Sequence, residues 1–219
     1  QHSNNVFLCW SELTSSIVSD PVAMDILTDL YDRHYRGEKY RSLLKQEVFD
    51  IKTPVITMLS GSNEAHTNDF FGQKDLQGGF FARTFIIYES KRQTVNSLMF
   101  PLLNKFDEQQ AAKHLGSLAN LKGPFIISDE TRGFFNSWYK KFIADCEDVK
   151  DKTGTLNRFD DSVLKVAMLL TVARTGALVI EQSIIEESIG ECEKLVGNVR
   201  RATAVSGKHA WANEKGIII

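Results

Sequence analysis

The stretch VFLCWSEL, residues Val6 to Leu13, begins as an apolar run and ends in polar residues, a serine and a glutamate, before its last leucine. A second apolar run covers Pro54 to Leu59 and is closed by the polar sequence SGSN, and a third covers Thr84 to Tyr88 directly after Arg83. Short apolar runs bounded by polar or turn residues are typical of strands buried in a parallel sheet. The three runs therefore predict the strands of an α/β fold with a mostly parallel sheet.

A helix is predicted between the first two strands. Asp20 is a capping residue, and Pro21 suits the first helical position. The helix is expected to end near Gly37, and one of its faces carries apolar residues, namely Val22, Ile26, Leu27 and Leu30. A polar connector, YRGEKYRSLLKQEVFDI, then leads to the second strand.

The pattern changes after about Ser90, where helical periodicity replaces the strand-like runs. A brief strand is predicted over Phe125 to Ile127, and helices are predicted over Asp107 to Leu121, after a cap at Ser128, over Arg158 to Arg174 and over Glu181 to Val205. The helix after Ser128 carries an apolar stripe of Phe134, Phe135, Trp138, Phe142 and Ile143, and the last helix is expected to bury Ile185, Ile189, Cys192, Leu195 and Val199. We therefore predict an α/β core over residues 1–92 and an all-α lid over residues 93–219.

The composition is that of a globular protein, with 42% hydrophobic residues, 25% charged residues and a net charge of -2. A nucleic-acid contact would therefore have to come from a local basic patch. The cysteines are widely spaced free thiols, which indicates a reducing, cytoplasmic compartment. No apolar run reaches the ~20 residues of a membrane span, so no membrane contact is expected. Both ends fall in strand-like runs, so we expect a fragment of a longer polypeptide.

Polar residues with complementary chemistry stand next to the predicted strands: Glu12, Asn63 and Arg83. Parallel α/β sheets bind ligands at strand ends. A carboxylate can orient water or magnesium, an amide can sense a terminal phosphate, and an arginine can neutralise charge in a transition state. The order of these residues suits nucleotide hydrolysis.

Five segments, in this order, resemble a known family: VFLCWSEL, LYDRHYRGEKYR, KTPVITMLSGSNEAHTNDFF, GGFFARTFIIYES and NRFDDSVLKVAMLLTVAR. They look like the C-terminal part of the P-loop ATPase domain of phage, plasmid and genomic-island replication proteins. That domain is catalogued mainly as one of unknown function and is often fused behind a primase or primase–polymerase module. The resemblance covers roughly Val6 to Val199 and implies part of a RecA/AAA+-like core followed by a helical lid.

The resemblance implies a helicase-like replication ATPase that uses ATP and Mg²⁺, forms a ring, expected to be a hexamer, and acts on single-stranded or forked DNA. It makes Glu12 the water-orienting base, Asn63 the sensor and Arg83 an arginine finger that completes a neighbouring subunit's site. Arg158, which opens the late helix, resembles the second sensor arginine of related lids. The basic connector lies where related ring helicases carry a DNA-binding hairpin, which assigns DNA contacts to Arg36, Lys39, Arg41 and Lys45.

Two departures from the family pattern bear on activity. The acidic motif usually reads Asp-Glu, whereas here it reads Ser11-Glu12, which weakens the outer-sphere hold on magnesium. No GxxxxGK[ST] phosphate-binding loop occurs in the 219 residues, so the chain alone is not expected to hydrolyse ATP. The alternative functions are a non-catalytic DNA- or protein-binding module and an ATP-driven switch of a mobile element.

Each candidate residue also has a purely structural interpretation. Glu12 can be a first-turn acid of a helix, and Asn63 can be a turn or cap residue. Arg158 can be an ordinary arginine on a helix surface, and the basic connector can carry solvated loop charges. The sequence leaves both interpretations open for each of them.

Arg83 also has a structural interpretation, because an unpaired buried charge is strongly unfavourable. It can form a structural ion pair with an acid such as Asp75 or Glu89, and the preceding Gly78-Gly79 can be a plain hairpin turn. The five histidines show no ligand spacing, so no bound transition metal is expected; they are His2, His34, His66, His114 and His209.

Overall fold

The computed structural model describes residues 5–11, 13, 20–36, 39–44, 47–62, 79–89, 105–147, 151 and 154–206. The chain divides into two compact units. The first unit comprises Gln1–Ile86, Asp151–Leu156 and Asn198–Ile219, and the second, the helical unit, comprises Ile87–Lys150 and Asn157–Gly197. The assignment of residues 1–92 to a nucleotide-binding core and 93–219 to a lid stays a prediction, because these contacts do not identify the function of either unit.

The first unit contains, in chain order, β1 (Asn5–Trp10), α1 (Pro21–Arg36), β2 (Lys39–Leu44), β3 (Glu47–Lys52) and β4 (Val55–Ser60). β1 and β4 pair in parallel, and a parallel pair needs a long crossover connection. α1 lies in that crossover and packs against β4. The predicted α/β character with parallel strands is confirmed, whereas the described strands are too few to identify a RecA-like core.

α1 begins where its capping residue was predicted. The backbone N–H of Val22 donates to Asp20 Oδ1 over 3.0 Å, and Pro21 occupies the first helical position. Ile26, Leu27 and Leu30 are half-buried, as their common face predicts. Val22 belongs to the same predicted face but is exposed, so the predicted face is not buried at its first residue.

A β-hairpin replaces the polar connector described from the sequence. β2 and β3 pair antiparallel, from Lys39 opposite Lys52 to Leu44 opposite Glu47. A hairpin needs only one neighbouring strand and a short turn, so it forms even in a polar stretch. The hairpin is not evident from the sequence because the strand-forming residues of β3 are interspersed with charged residues.

The predicted third strand, Thr84 to Tyr88, is wrong. Phe81–Arg83 form a 3₁₀ turn, and residues 84–89 follow it without regular secondary structure. Burial alternates along this segment as in a strand, and Ile87 is 78% exposed. Alternation alone does not make a strand, because a strand also requires a hydrogen-bonded partner.

The helical unit contains α2 (Lys105–Leu118), β5 (Ile126–Ile127), α3 (Asp129–Asp145), α4 (Phe159–Thr175), β6 (Val179–Ile180) and most of α5 (Gln182–Ser206). All the helices predicted after residue 90 are present. Ser128 is the N-cap of α3 and accepts a hydrogen bond from the Thr131 N–H over 3.1 Å. β5 and β6 form a short parallel pair, of which the sequence predicted only the first strand.

The core of the helical unit lies along one face of α4. Its buried residues recur at every fourth position, which places them in one stripe: Phe159, Val163, Ala167 and Thr171. Phe159 is 2% exposed and stacks on Phe142 of α3, with ring centroids 4.6 Å apart. Cys192 of α5 is buried against the same cluster, as predicted. Ile143, the last residue of the apolar stripe predicted for α3, is exposed.

Candidate functional site

The carboxyl ends of β1 and β4 lie side by side. The strands are in register through their last residues, with Trp10 opposite Ser60. Beyond this point the Gly61 N–H donates to the Trp10 carbonyl oxygen over 3.4 Å, and the Leu13 N–H donates to the Gly61 carbonyl oxygen over 2.7 Å. The two loops that leave the sheet are therefore bonded to each other.

Gly61 is required at this junction. A Cβ at this position would lie 2.8 Å from the carbonyl oxygen of Ser11, closer than real Cβ contacts allow. The close approach of the two backbones therefore depends on the absence of a side chain. This gives the glycine of SGSN a packing role that the sequence analysis did not assign.

Glu12 and Asn63 lie outside the described residues. The positions on either side of Glu12, Ser11 and Leu13, are described, and both approach Gly61. Gly61 in turn precedes Asn63 by two positions. The structure thus brings together the chain segments that lead to the predicted carboxylate and amide, while the roles of the two side chains stay predictions.

Arg83 forms an ion pair within the chain. Its Nε donates to Asp32 Oδ1 over 2.9 Å, and its Nη2 donates to Asp32 Oδ2. The Arg83 side chain is 10% exposed and that of Asp32 is 26% exposed. The structural interpretation of Arg83 is therefore observed, with Asp32 as the partner in place of Asp75 or Glu89, and its role as an arginine finger stays a prediction.

The guanidinium of Arg83 is also held by its own turn. Nη1 donates to the Gly79 carbonyl oxygen over 2.5 Å. Gly79 has a φ of 74°, in the left-handed region, and a Cβ there would meet Nη1 at 2.5 Å. Phe80 and Ala82 of the same turn are buried. The turn therefore fixes the direction of the guanidinium from one side, and Asp32 fixes it from the other.

A loop from later in the chain comes close to this turn at Gly154. Asp151 accepts hydrogen bonds from the backbone N–H groups of Gly154, over 3.0 Å, and Leu156, over 2.6 Å. A Cβ at Gly154 would be in van der Waals contact with the Cβ of Ala82, at 3.5 Å. Asp151, Gly154 and Leu156 belong to the first unit, and Gly154 lies close to the Arg83 turn.

The sequence gives little indication of the residues that lie around the turn. Asp32 lies inside LYDRHYRGEKYR, but it is 51 positions from Arg83, and no local pattern links residues so far apart. Asp151 and Gly154 carry a weak local signal, since an aspartate followed by a glycine at this spacing is typical of a turn. Even so, that signal does not show what the loop contacts.

The predicted DNA-binding residues surround the hairpin. Arg36 is the last residue of α1, and Lys39 and Arg41 lie in β2, opposite Lys52 and Asp50 of β3. Lys45 falls between the strands, outside the described residues. The hairpin is described at the level of its backbone, so the DNA contacts stay predictions.

Arg158 belongs to the helical unit. It ends a 3₁₀ turn directly before α4, and its Nη1 lies 3.9 Å from Asp161 Oδ2. Burial, followed by the charges of Asp160 and Asp161, raises the pKa of Tyr139. Arg158 therefore lies close to Asp161 of the helical unit, and its role as a second sensor stays a prediction.

Within the described ranges, no group of three or more His, Cys, Asp or Glu side chains could hold a metal ion. None of the helices that the structure describes combines the length and apolarity needed to cross a bilayer. No protein-family model, curated protein or solved structure matches the chain. The function therefore has to be argued from the residues themselves.

Proposed function

We propose that the chain is part of a DNA-replication ATPase of the helicase-like kind, which hydrolyses ATP as an oligomeric ring once a phosphate-binding loop is supplied. One observation carries the proposal. The parallel pairing of β1 and β4, with Leu13 bonded to Gly61, joins the two segments that lead to Glu12 and Asn63. Ligands of parallel α/β folds bind at such strand ends.

Glu12 and Asn63 would supply only part of a site for Mg²⁺ and ATP. Glu12 would orient the attacking water, and Asn63 would contact the terminal phosphate. Ser11 replaces the aspartate that would steady the magnesium, and the 219 residues contain no GxxxxGK[ST] loop. The cradle for the phosphates must therefore come from a segment outside this sequence, and we assign no further residue to it.

DNA binding is proposed for the β2–β3 hairpin. The hairpin lies in the crossover between the two strands that form the candidate site, and its first strand contributes Lys39 and Arg41. Lysine and arginine contacts to phosphates would bind DNA of any sequence. The missing phosphate-binding loop favours a second candidate, a module that binds DNA without hydrolysing a nucleotide.

Glu12→Gln tests the first candidate in a protein that carries a GxxxxGK[ST] loop before Val6. Loss of a general base typically lowers turnover by roughly 10²- to 10⁴-fold. Glu193→Gln is the matched control, because Glu193 is an exposed glutamate of the helical unit. If Glu12→Gln lowers ATP turnover no more than Glu193→Gln does, Glu12 does not act as the catalytic base.

Lys39→Ala combined with Arg41→Ala tests the hairpin. Affinity for all single-stranded DNA sequences should fall about equally, and the slope of log affinity against log salt should flatten by roughly one unit per lost contact. DNA binding that responds in this way, in a protein without ATP turnover, would favour the binding module. An unchanged affinity and slope would mean that both residues are solvated surface charges that do not contact DNA.

A further inference from the structure

One side of α3 carries exposed polar and basic residues along its length. They recur three or four positions apart, which places them on the same side of the helix. This set, which we call the α3 outer face, comprises Arg132, Gly133, Asn136, Ser137, Lys140 and Lys141. No aspartate or glutamate occurs between positions 131 and 144. The middle of the helix therefore exposes positive charge and hydrogen-bonding groups to solvent.

Three of these residues are unfavourable in the exposed interior of a helix. Glycine, asparagine and serine all form helices less readily than alanine, lysine or glutamate, and glycine is the least favourable of the three. A Cβ at Gly133 would have open space around it, so packing does not require a glycine there. The Ser137 hydroxyl donates to the Gly133 carbonyl oxygen over 2.9 Å, a bond that slightly destabilises a helix. The α3 outer face therefore lacks helix stability that other residues would supply.

A loss of local stability of this kind is typical of a surface that binds another molecule. A glycine allows another backbone to approach closely. Lysine, arginine, asparagine and serine are among the side chains that contact phosphate oxygens in nucleic acids. The rise from Arg132 to Lys140 is about 12 Å, which is long enough to reach more than one phosphate of a strand. The residues of the α3 outer face therefore fit a sugar–phosphate backbone.

The acids of α3 lie at its two ends. Asp129, in the first turn, accepts a hydrogen bond from Arg132 Nη1 over 3.1 Å, and the two side chains are 98% and 63% exposed. An exposed pair of this kind is weak, so Arg132 can exchange Asp129 for a phosphate. Lys140 lies about three helical turns from Asp129. The two lysines are therefore the main cations of the proposed contact.

We propose that the α3 outer face binds the sugar–phosphate backbone of a nucleic-acid strand. Lys140, Lys141 and Arg132 contact phosphates, and Gly133 leaves room for the strand to approach the helix. Contacts to phosphates do not read bases, so the binding is independent of sequence. The site belongs to the helical unit and uses none of the residues assigned to DNA above. It therefore goes beyond the proposed function.

Lys140→Ala combined with Lys141→Ala tests the charge of the face. The measurement is the fluorescence anisotropy of a labelled single-stranded oligothymidine at several salt concentrations. Affinity should fall about fivefold or more, and the slope of log affinity against log salt should flatten by roughly one unit for each lost contact. The matched control, Lys113→Ala with Lys122→Ala, removes two other exposed lysines of the helical unit. It should change the affinity by less than about twofold.

Gly133→Gln separates binding from folding. Glutamine is the better helix former, so the variant should unfold at a higher urea concentration. Its side chain would occupy the space beside Ser137, so oligothymidine binding should weaken by at least as much as the loss of one phosphate contact. Gly116→Gln is the matched control, at an exposed glycine of α2 whose Cβ would also have open space around it. It should raise stability and leave the affinity unchanged.

The inference is overturned if the Lys140 and Lys141 variant binds like its control, or if Gly133→Gln binds as tightly as the unmodified protein. It also fails if the protein binds phosphatidylserine vesicles and does not bind the oligothymidine, since the face would then contact a membrane. Weaker binding only in the variant with Lys39→Ala and Arg41→Ala would remove this inference and leave the proposed function standing. Weaker binding only in the α3 variants would support the inference and exclude the hairpin from DNA contact.

Discussion

The contacts described within the first unit differ in kind from those within the helical unit. Among the described residues, most buried apolar side chains belong to the helical unit, and those of the first unit are Phe80, Ala82 and Pro54. The first unit is linked instead by directed polar contacts, which include the Arg83–Asp32 pair and the Leu13–Gly61 hydrogen bond. An apolar core tolerates substitutions that keep volume and pattern, whereas a directed contact depends on particular atoms. The first unit should therefore be the more sensitive to exact residue identity.

The same contrast separates two arginine–carboxylate pairs of similar geometry. Arg83 with Asp32 has side chains 10% and 26% exposed, whereas Arg174 with Glu187 has side chains 49% and 36% exposed. The hydrogen bond from Arg174 lowers the pKa of Glu187. Exposed pairs contribute little to stability, because water and salt screen them. For two pairs that each make two hydrogen bonds, the difference in exposure decides the difference in their contribution to stability.

The largest effect is expected at the centre of the helical unit. Phe159→Ala should lower the free energy of unfolding by about 3–5 kcal/mol, because it removes a buried ring and leaves a cavity. Urea denaturation followed by Trp138 fluorescence reports on this site, since the two rings are 6.0 Å apart. Leu169→Ala on the same helix, at a side chain 66% exposed, should change the free energy by less than about 0.5 kcal/mol. Equal losses in the two variants would contradict a core confined to one face of α4.

Arg83→Ala should come next. Removing one member of a buried pair typically destabilises by about 3–5 kcal/mol, and the partial exposure of Asp32 places the loss near the lower end, at about 3 kcal/mol. Hydrogen exchange of the β1 and β4 amides measures this loss in the first unit. Arg174→Ala should leave the stability of the helical unit nearly unchanged. A larger loss for Arg174→Ala than for Arg83→Ala would reverse the comparison between the pairs.

The last effect is absent at neutral pH and is confined to alkaline pH. Burial, followed by the charges of Glu191 and Glu193, raises the pKa of Cys192 to about 12. The folded state therefore holds the thiol proton more tightly than the unfolded state, whose thiol has a pKa near the ordinary ~8.5. The stability associated with the protonated thiol is fully present below about pH 8.5 and is lost as the pH rises towards 12.

Comparison of Cys192→Ala with the unmodified protein isolates this group, because other titrating residues are common to both. The difference between their urea midpoints should shrink between pH 8 and pH 11. Ser188→Ala, at a buried residue of the same helix that does not titrate in this range, should give a difference that is constant with pH. A difference for Cys192→Ala that is also constant would mean that the thiol is not buried in solution.

The helices of this protein could be read from the sequence because their signals are local. The cap at Ser128 and the bond from Val22 to Asp20 join residues within one helical turn. The apolar runs likewise predicted β1 and β4 and their parallel character. Charge and spacing also marked Glu12, Asn63 and Arg83 as residues to examine.

Only the tertiary structure decided which residues meet. The apolar run that predicts a strand over Thr84 to Tyr88 pairs with no strand among the described residues, and the polar connector pairs with itself as β2 and β3. Arg83 pairs with Asp32 across 51 positions, and Gly61 is needed because Ser11 approaches it. Such contacts depend on how the chain closes its loops and which backbones come within van der Waals distance, and neither is encoded in a short stretch of residues.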